Sequence, residues 1–219
     1  MKIFFDFDGT LVEIMKRDYR VYCDSLPDST SLDFARYVSL RRKKTNIDEI
    51  LSLTHPDYRD IREKFLQKRD SLIENAAYLR YDTVLQGVKE SLSQISSNHE
   101  CYILSARKDE KALKDQCDEM DISQYFLSII AVSSPEKKGG IISSIKGNEV
   151  SIMVGDTEND ILAARESGSI SVSVDTGIRD KETIGKYYPD HITINLSELI
   201  GIIEHVRQQQ REQLHTFLL

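Results

Sequence analysis

Short apolar runs alternate with segments of helical periodicity along most of this chain. Each run ends in polar or turn-forming residues and is followed by apolar residues that recur every three or four positions, so the runs predict buried strands and the segments predict amphipathic helices. The predicted strands are 3–5, 102–104, 129–132, 152–154 and 170–174, and the predicted helices are 84–95, 111–120, 141–146 and 161–166. Such alternation is typical of an α/β fold with a Rossmann-like parallel sheet core.

Residues 13–82 interrupt this alternation. They are rich in Arg, Lys, Tyr and Asp, have helical spacing and contain no convincing strand. Helix-stopping and capping residues at 27–30 and 55–57 predict three or four short helices. We therefore expect an inserted α-helical cap subdomain over 13–82 and an α/β core over 1–12 and 83–219, with a last helix from 196 to about 213.

Charge and cysteine content exclude several classes of partner and site. The net charge of -7 argues against nucleic acid or an anionic membrane as the main partner, because both are bound through clustered Lys and Arg. The three cysteines have no C-x-x-C spacing, so neither a disulfide framework nor a zinc site is indicated. The first apolar run is too short for a signal peptide, and no apolar stretch approaches a membrane span, so we expect a cytoplasmic location.

Two acids, Asp6 and Asp8, directly follow the first predicted strand and precede Gly9 and Thr10. This position places them at the carboxyl edge of a parallel sheet, which is where ligands bind in open α/β folds. Taken alone, the pair fits a turn with two solvated acids equally well.

A second pair of acids, Asp156 and Asp160, follows the predicted strand 152–154. Taken singly, Asp156 or Thr157 could serve only to cap a helix, and Asp160 could serve only to complement its dipole. Together with Asp6 and Asp8 they would bring four carboxylates to one sheet edge, where they would repel one another unless a hard cation neutralised them. Oxygen ligands of this kind suit Mg²⁺, which commonly also binds substrate phosphate.

Candidate phosphate donors follow two other strands. Ser105 directly follows the predicted strand 102–104 and precedes the backbone N–H groups of Ala106 and Arg107. This segment is a strand-to-helix turn of the type that binds anions. Ser105 could also be a simple helix cap. Lys137 or Lys138 could supply a cation, although most lysines are surface residues.

Four segments in this order, 6–11 (DFDGTL), 104–107 (LSAR), 137–138 (KK) and 155–160 (GDTEND), resemble the four motifs of the haloacid dehalogenase-like hydrolase superfamily. The resemblance covers about residues 1–12 and 83–195, and the helical insert looks like the helical cap of that family. Phosphoglycolate phosphatase-like members are the most similar in layout.

The resemblance implies a role for each candidate residue. Asp6 would be the nucleophile that forms an aspartyl-phosphate, and Asp8 would be the general acid and base. The phosphoryl oxygens would be held by Ser105, Ala106, Thr10 and Lys138, the last preferred to Lys137 because of its register with the following helix. Mg²⁺ would be held by Asp6, Asp8 through its backbone carbonyl, and Asp156, with Asp160 in support. Arg107 is a secondary candidate that either reaches substrate or pairs with acids on the helix after Asp109.

The implied function is a magnesium-dependent phosphomonoester hydrolase acting on a small phosphorylated metabolite. A phosphomutase shares all four motifs and stays open as an alternative, as does a regulatory module that binds phosphorylated ligands with vestigial activity. The basic residues of the insert either close over an anionic substrate or, at 41–44, form a solvated helix face. These residues are Arg17, Arg20, Arg36, Arg41, Arg42, Lys43 and Lys44.

Overall fold

The computed structural model describes residues 1–217, apart from the side chains of 210, 211 and 213–217. The strands in this range are β1 (Lys2–Phe5), β2 (Val12–Glu13), β3 (Thr83–Val84), β4 (Glu100–Ser105), β5 (Ser128–Ala131), β6 (Ser151–Gly155), β7 (Ile170–Val174) and β8 (His191–Thr193). The helices are α1 (Met15–Ser25), α2 (Phe34–Arg42), α3 (Ile47–Ser52), α4 (Tyr58–Leu72), α5 (Ala76–Leu79), α6 (Val88–Ser96), α7 (Glu110–Glu119), α8 (Lys138–Lys146), α9 (Glu158–Ser167), α10 (Lys181–Gly185) and α11 (Leu199–Phe217). None of these helices is long and apolar enough to cross a membrane.

Six of the strands form a parallel sheet in the order β5-β4-β1-β6-β7-β8. The five predicted strands and the predicted α/β class are confirmed. Sequence periodicity missed β8, a three-residue edge strand that is too short to show a pattern. The last helix begins at Leu199 rather than 196, because residues Leu196–Glu198 form a 3-10 turn.

Alternate residues of β1 face two different helical layers. Ile3 and Phe5 are fully buried against one layer, which includes apolar residues of α6, α7 and α11. Phe4 points the other way and packs with residues of α8 and α9. A strand that is covered on both faces has to be apolar throughout, which explains the unbroken run at the start of the chain.

The strand order creates a crevice at the carboxyl end of β1. The chain adds β4 and β5 on one side of β1 and then β6, β7 and β8 on the other, so the neighbouring connections diverge there. In register, Phe5 lies beside Ile103 of β4 and Val154 of β6. The residues that follow these three positions therefore meet at one edge of the sheet, at the topological switch point where α/β folds bind ligands.

Helices α1 to α5 form a segment with its own apolar core. Buried residues of α1, α2, α3 and α4 make up this core, including Tyr22 and Tyr37, whose rings stack with centroids 4.5 Å apart. The prediction of three or four helices was too low, because it overlooked Asn46 and Asn75, which cap α3 and α5. The short antiparallel pair β2–β3, also missed, joins the two chain positions at which the segment begins and ends.

A buried carboxylate on α1 ties three helices of this segment together. The Asp18 carboxylate accepts hydrogen bonds from Arg41 Nε of α2 at 2.8 Å, Arg69 of α4 at 2.8 Å and the Tyr37 hydroxyl at 3.0 Å. Burial alone would raise the pKa of Asp18, but Arg41 and Arg69 hold it well below its usual range. Asp18 is therefore ionised whenever the segment is folded at neutral pH.

Replacing this carboxylate is expected to destabilise the fold. Asp18→Asn removes the charge that Arg41 and Arg69 neutralise, and we expect the free energy of unfolding to fall by about 3 kcal/mol in urea titrations. Because the pKa is lowered on folding, the stabilisation is present above the unfolded-state pKa of about 3.8 and is lost only as the pH falls below it. The difference in free energy of unfolding between the wild type and Asp18→Asn should thus be constant near neutral pH and become smaller in acid. Asp48→Asn, which breaks the exposed pair with Arg62, is the matched control and should cost less than about 1 kcal/mol; equal losses for both variants would contradict this account.

Candidate active site

A cavity of about 140 Å³ opens at the carboxyl edge of the sheet. Its lining comes from the loops after β1, β4, β5, β6 and β7: Asp6, Asp8, Ser105, Ala106, Pro135, Lys138, Thr157, Asn159 and Ile178. The sheet thus brings together Asp6, Asp8, Ser105, Ala106 and Lys138, as the sequence motifs predict.

Asp6 lies at the centre of this edge, one residue beyond β1. Its backbone N–H donates to the Val154 carbonyl at 2.8 Å and fixes its position beside β6. Its side chain accepts from Lys138 Nζ at 2.8 Å, and the same ammonium donates to Asp160 at 2.7 Å. Burial raises the pKa of Asp6 to about 7 even though Lys138 acts to lower it.

The two neighbouring lysines have different surroundings. Lys138 begins α8 and is 2% exposed, whereas Lys137 donates to the Ser133 hydroxyl at the surface. Burial alone would lower the pKa of Lys138, but Asp160 and Asp6 raise it above its usual value. Lys138 therefore remains a cation where it touches Asp6, and its predicted contact with phosphate stays a prediction.

Asp156 is completely buried at the start of the loop after β6. One of its oxygens accepts the backbone N–H of Ile178 at 2.5 Å, and the other lies 3.4 Å from the Thr10 hydroxyl. Gly9 and Gly177 pack so closely against this carboxylate that a Cβ on either would lie within 2.2 Å of it. Thr10, predicted to bind phosphate, thus contacts Asp156 and lies outside the described lining of the cavity.

Asp6, Asp156 and Asp160 have the chemistry of a divalent cation site. One carboxylate oxygen from each lies within 4.8 Å of the others, and all three residues are buried. The three carboxylates face the single ammonium of Lys138, which leaves an excess of negative charge. Burial, followed by Asp6 and Asp160, raises the pKa of Asp156 well above its usual range, which shows how poorly its charge is compensated. A hard cation with oxygen ligands, such as Mg²⁺, fits this set.

Asp160 also has a local role, because it lies in the first turn of α9. Its second oxygen accepts the Thr157 hydroxyl at 2.8 Å and the Thr157 N–H at 3.2 Å, in a capping box that was not predicted. Its position is compatible with both roles considered from sequence, which are complementing the helix dipole and supporting a metal site.

The Asp8 carboxylate is paired with two arginines. It accepts from Arg17 of α1 at 2.7 Å, and from Arg107 Nε and NH2 at 2.9 and 2.5 Å. Burial alone would raise the pKa of Asp8, but Arg17 and Arg107 hold it well below its usual range. Its side chain is thus ionised here, and its predicted metal contact through the backbone carbonyl stays a prediction.

The expected pairing of Arg107 with acids on the helix after Asp109 is wrong, and its contact with substrate stays a prediction. It pairs with Asp8 and with Asp82, at 3.3 Å, and donates to Gln116 of α7 at 2.6 Å. Arg17 also pairs with Asp82, at 3.1 Å. Two arginines and two aspartates thus form a buried group that joins the helical segment to the core.

The interpretation of residues 41–44 as a solvated helix face is wrong for Arg41 and Arg42, which are partly buried, whereas Lys43 and Lys44 are exposed. Arg41 pairs with Asp18, Arg42 with Asp175 at 2.7 Å, and Lys44 with Glu158 at 2.9 Å. These pairs could not be found from sequence, because the partners lie 23 to 133 positions away and no local pattern links them. Sequence reasoning also missed Asp82, Gly177 and Ile178 for the same reason.

Comparison with known proteins agrees with the fold and the motif order. A family model described as haloacid dehalogenase-like hydrolase matches residues 3–168, and one described as HAD-hydrolase-like matches 141–199. The chain is 27% identical to the phosphoglycolate phosphatase of Vibrio vulnificus (strain CMCP6), covering 92% of this chain and 95% of that protein. It is 26% identical to that of Chromobacterium violaceum, with the same shares covered.

Solved structures show the same architecture. A predicted phosphatase from Clostridium acetobutylicum superimposes with a TM-score of 0.70 at 18% identity, covering 93% of this chain and 98% of that one. A haloacid dehalogenase-like family hydrolase from Streptococcus pneumoniae gives a TM-score of 0.68 at 21% identity, covering 92% and 97%.

Because the charge of Asp156 is poorly compensated, we expect this carboxylate to lower the stability of the metal-free protein and to be needed for cation binding. In EDTA, Asp156→Asn should increase the free energy of unfolding by about 1–2 kcal/mol, because the amide keeps the Ile178 contact without the buried charge. The raised pKa means that the folded chain binds this proton more tightly than the unfolded chain, so the wild type loses stability as the pH rises. The increase in free energy of unfolding that Asp156→Asn causes should therefore be larger at about pH 8 than at about pH 5.

Thermal unfolding with and without Mg²⁺ provides the second half of this test. Mg²⁺ should raise the Tm of the wild type and have much less effect on Asp156→Asn. Asp118→Asn, which changes an exposed acid of α7, should behave like the wild type. A loss of stability in EDTA for Asp156→Asn, or an equal Mg²⁺ response in both proteins, would be inconsistent with the site described.

Proposed function

The chain belongs to the haloacid dehalogenase-like hydrolase family, with phosphatase as its enzyme class, and we propose that it hydrolyses small phosphate monoesters through a phosphorylated Asp6, with Mg²⁺ as cofactor. The observation that carries the proposal is the position of Asp6, buried at the switch point of the sheet, 2.8 Å from Lys138 and grouped with Asp156 and Asp160. A nucleophilic carboxylate and charge-neutralising groups are what phosphoryl transfer requires.

In the proposed first step, an oxygen of Asp6 attacks phosphorus and the ester oxygen leaves. Lys138 orients the Asp6 carboxylate and contributes positive charge, while Ser105 and Ala106, which line the same cavity, would donate to the phosphoryl oxygens through the hydroxyl and the backbone N–H. Mg²⁺, held by Asp6 and Asp156 with Asp160 in support, would neutralise negative charge at the nucleophile and on the phosphoryl group.

Asp8 would serve both steps in this proposal. Asp8 lines the same cavity as Asp6, and in this proposal it would protonate the departing alkoxide and later remove a proton from the attacking water. The ionised form held by Arg17 and Arg107 is the one that the second step needs. The first step needs the protonated form, which requires these contacts to loosen when substrate is bound.

The size of the cavity supports a small substrate. About 140 Å³ is well below the roughly 300–1,000 Å³ of sites for drug-sized ligands. Phosphoglycolate, the substrate after which the Vibrio vulnificus and Chromobacterium violaceum relatives are named, is therefore the first compound to test. We further propose that helices α1 to α5 act as a cap, since Arg17 reaches Asp8 from α1. A cytoplasmic location is in keeping with three cysteines that are all free thiols.

Removal of the proposed nucleophile should abolish turnover. Asp6→Asn keeps the shape of the side chain but cannot attack phosphorus, so hydrolysis of p-nitrophenyl phosphate with Mg²⁺ should fall by at least about 10³-fold. Asp33→Asn, which changes an exposed helix cap, should retain wild-type kcat. Full activity in Asp6→Asn would exclude the mechanism. Transfer of the phosphoryl group to a second hydroxyl instead of water, seen as a phosphorylated product, would identify a phosphomutase.

The acid role of Asp8 predicts a dependence on the leaving group. p-Nitrophenolate departs without a proton, whereas an alkoxide needs one, so Asp8→Asn should lower kcat/KM for an alkyl phosphate by about 10²-fold or more beyond its effect on p-nitrophenyl phosphate. Equal losses on the two substrates would show that Asp8 does not protonate the leaving group.

A further inference from the structure

The C-terminal end of α2 makes reciprocal contacts with the loop 175–180 that follows β7. Arg42 donates to the carbonyl oxygens of Gly177 at 2.9 Å and Asp175 at 3.0 Å, and to the Asp175 carboxylate at 2.7 Å. In return, the last carbonyl groups of the helix accept hydrogen bonds from the loop. Arg179 donates to the Arg41 carbonyl at 3.2 Å, and the Asp180 N–H donates to the Arg42 carbonyl at 3.1 Å. The loop thus satisfies carbonyls that a helix end leaves unpaired.

The opposite side of the same loop holds Asp156. The Ile178 N–H donates to the Asp156 carboxylate at 2.5 Å, and Gly177 packs directly against that side chain. The Thr176 hydroxyl lies 3.4 Å from the Gly9 carbonyl, next to the turn that covers Asp156 from the other direction. A shift of this loop would therefore move the only backbone donor that Asp156 has among the described hydrogen bonds.

Charge strengthens the contact between the helical segment and this loop. Lys44, just beyond α2, pairs with Glu158 at 2.9 Å, and Arg179 pairs with Glu158 at 3.0 Å. Arg42 differs from these pairs because its guanidinium binds two backbone carbonyls as well as a carboxylate. The planar guanidinium fork of an arginine carries several donors in fixed directions, so it fixes the path of a loop in a way that the single ammonium of a lysine cannot.

We propose that Arg42 is a positioning residue for the cation site: by fixing residues 175–178 it sets the place of the Ile178 N–H and hence the orientation of Asp156. Arg42 does not line the cavity, so it acts on the site only through the loop. The proposal rests on the cation site of the proposed function. By reciprocity, a cation bound at Asp156 favours the docked position of α2 as much as docking favours the cation.

The test is direct binding of Mn²⁺ to the purified, full-length chain, followed by electron paramagnetic resonance of the free ion, with no substrate present. Arg42→Gln should weaken Mn²⁺ binding about tenfold, as is usual when the support of a metal ligand is lost. Arg42→Lys should recover only part of the affinity, because it restores the charge but not the fork. Arg62→Gln, which breaks an exposed ion pair elsewhere in the helical segment, is the matched control and should bind Mn²⁺ as the wild type does.

Two further readouts separate positioning from loss of structure. In EDTA, Arg42→Gln and Arg62→Gln should both give cooperative thermal unfolding. Hydrogen exchange should be faster at residues 175–180 in Arg42→Gln alone. If the wild type binds Mn²⁺ and Arg42→Gln binds it equally well, the coupling is overturned while the proposed function stands. If the wild type binds no Mn²⁺, both are overturned.

Discussion

The contact of Lys138 with Asp6 and Asp160 is the interaction on which the rest of the site depends. A parallel sheet whose strands end together brings the acids after β1 and β6 to one edge, where they repel one another in a buried environment. Lys138 offsets part of that repulsion at 2.8 and 2.7 Å from two of the three carboxylates. Burial, followed by the neighbouring carboxylates, raises the pKa of Asp156, and the charge that is left over makes the group suitable for a hard cation.

The segment formed by helices α1 to α5 is attached to this edge of the sheet at two places, and at both places arginines pair with aspartates. On one side Arg17 meets Asp8 and Asp82, and on the other Arg42 meets Asp175. The segment is therefore a source of positive charge for an acidic core, although the chain as a whole carries a net charge of -7. Its arginines contact the core acids that surround the cavity rather than lining the cavity themselves.

Most of the core could be predicted because its signals are local. Alternation of apolar runs and helical segments predicts β1, β4, β5, β6 and β7, and acids directly after β1 and β6 have to meet if those strands are neighbours. The partners of Asp8 could not be found in this way, since Arg107 is 99 positions away and Arg17 belongs to no motif. Loop 175–180 was overlooked because it binds Asp156 with a backbone N–H, a group that every residue except proline carries.

The central claim is that Asp6 carries the phosphoryl group during turnover. It is tested most directly by rapid acid quenching of the enzyme with p-nitrophenyl phosphate and Mg²⁺, followed by mass spectrometric mapping of the peptides. The account predicts one phosphoryl group on the peptide that contains Asp6, sensitive to hydroxylamine as an acyl phosphate should be. Turnover with no phosphorylated peptide at any quench time, or with the phosphoryl group on another residue, would contradict it.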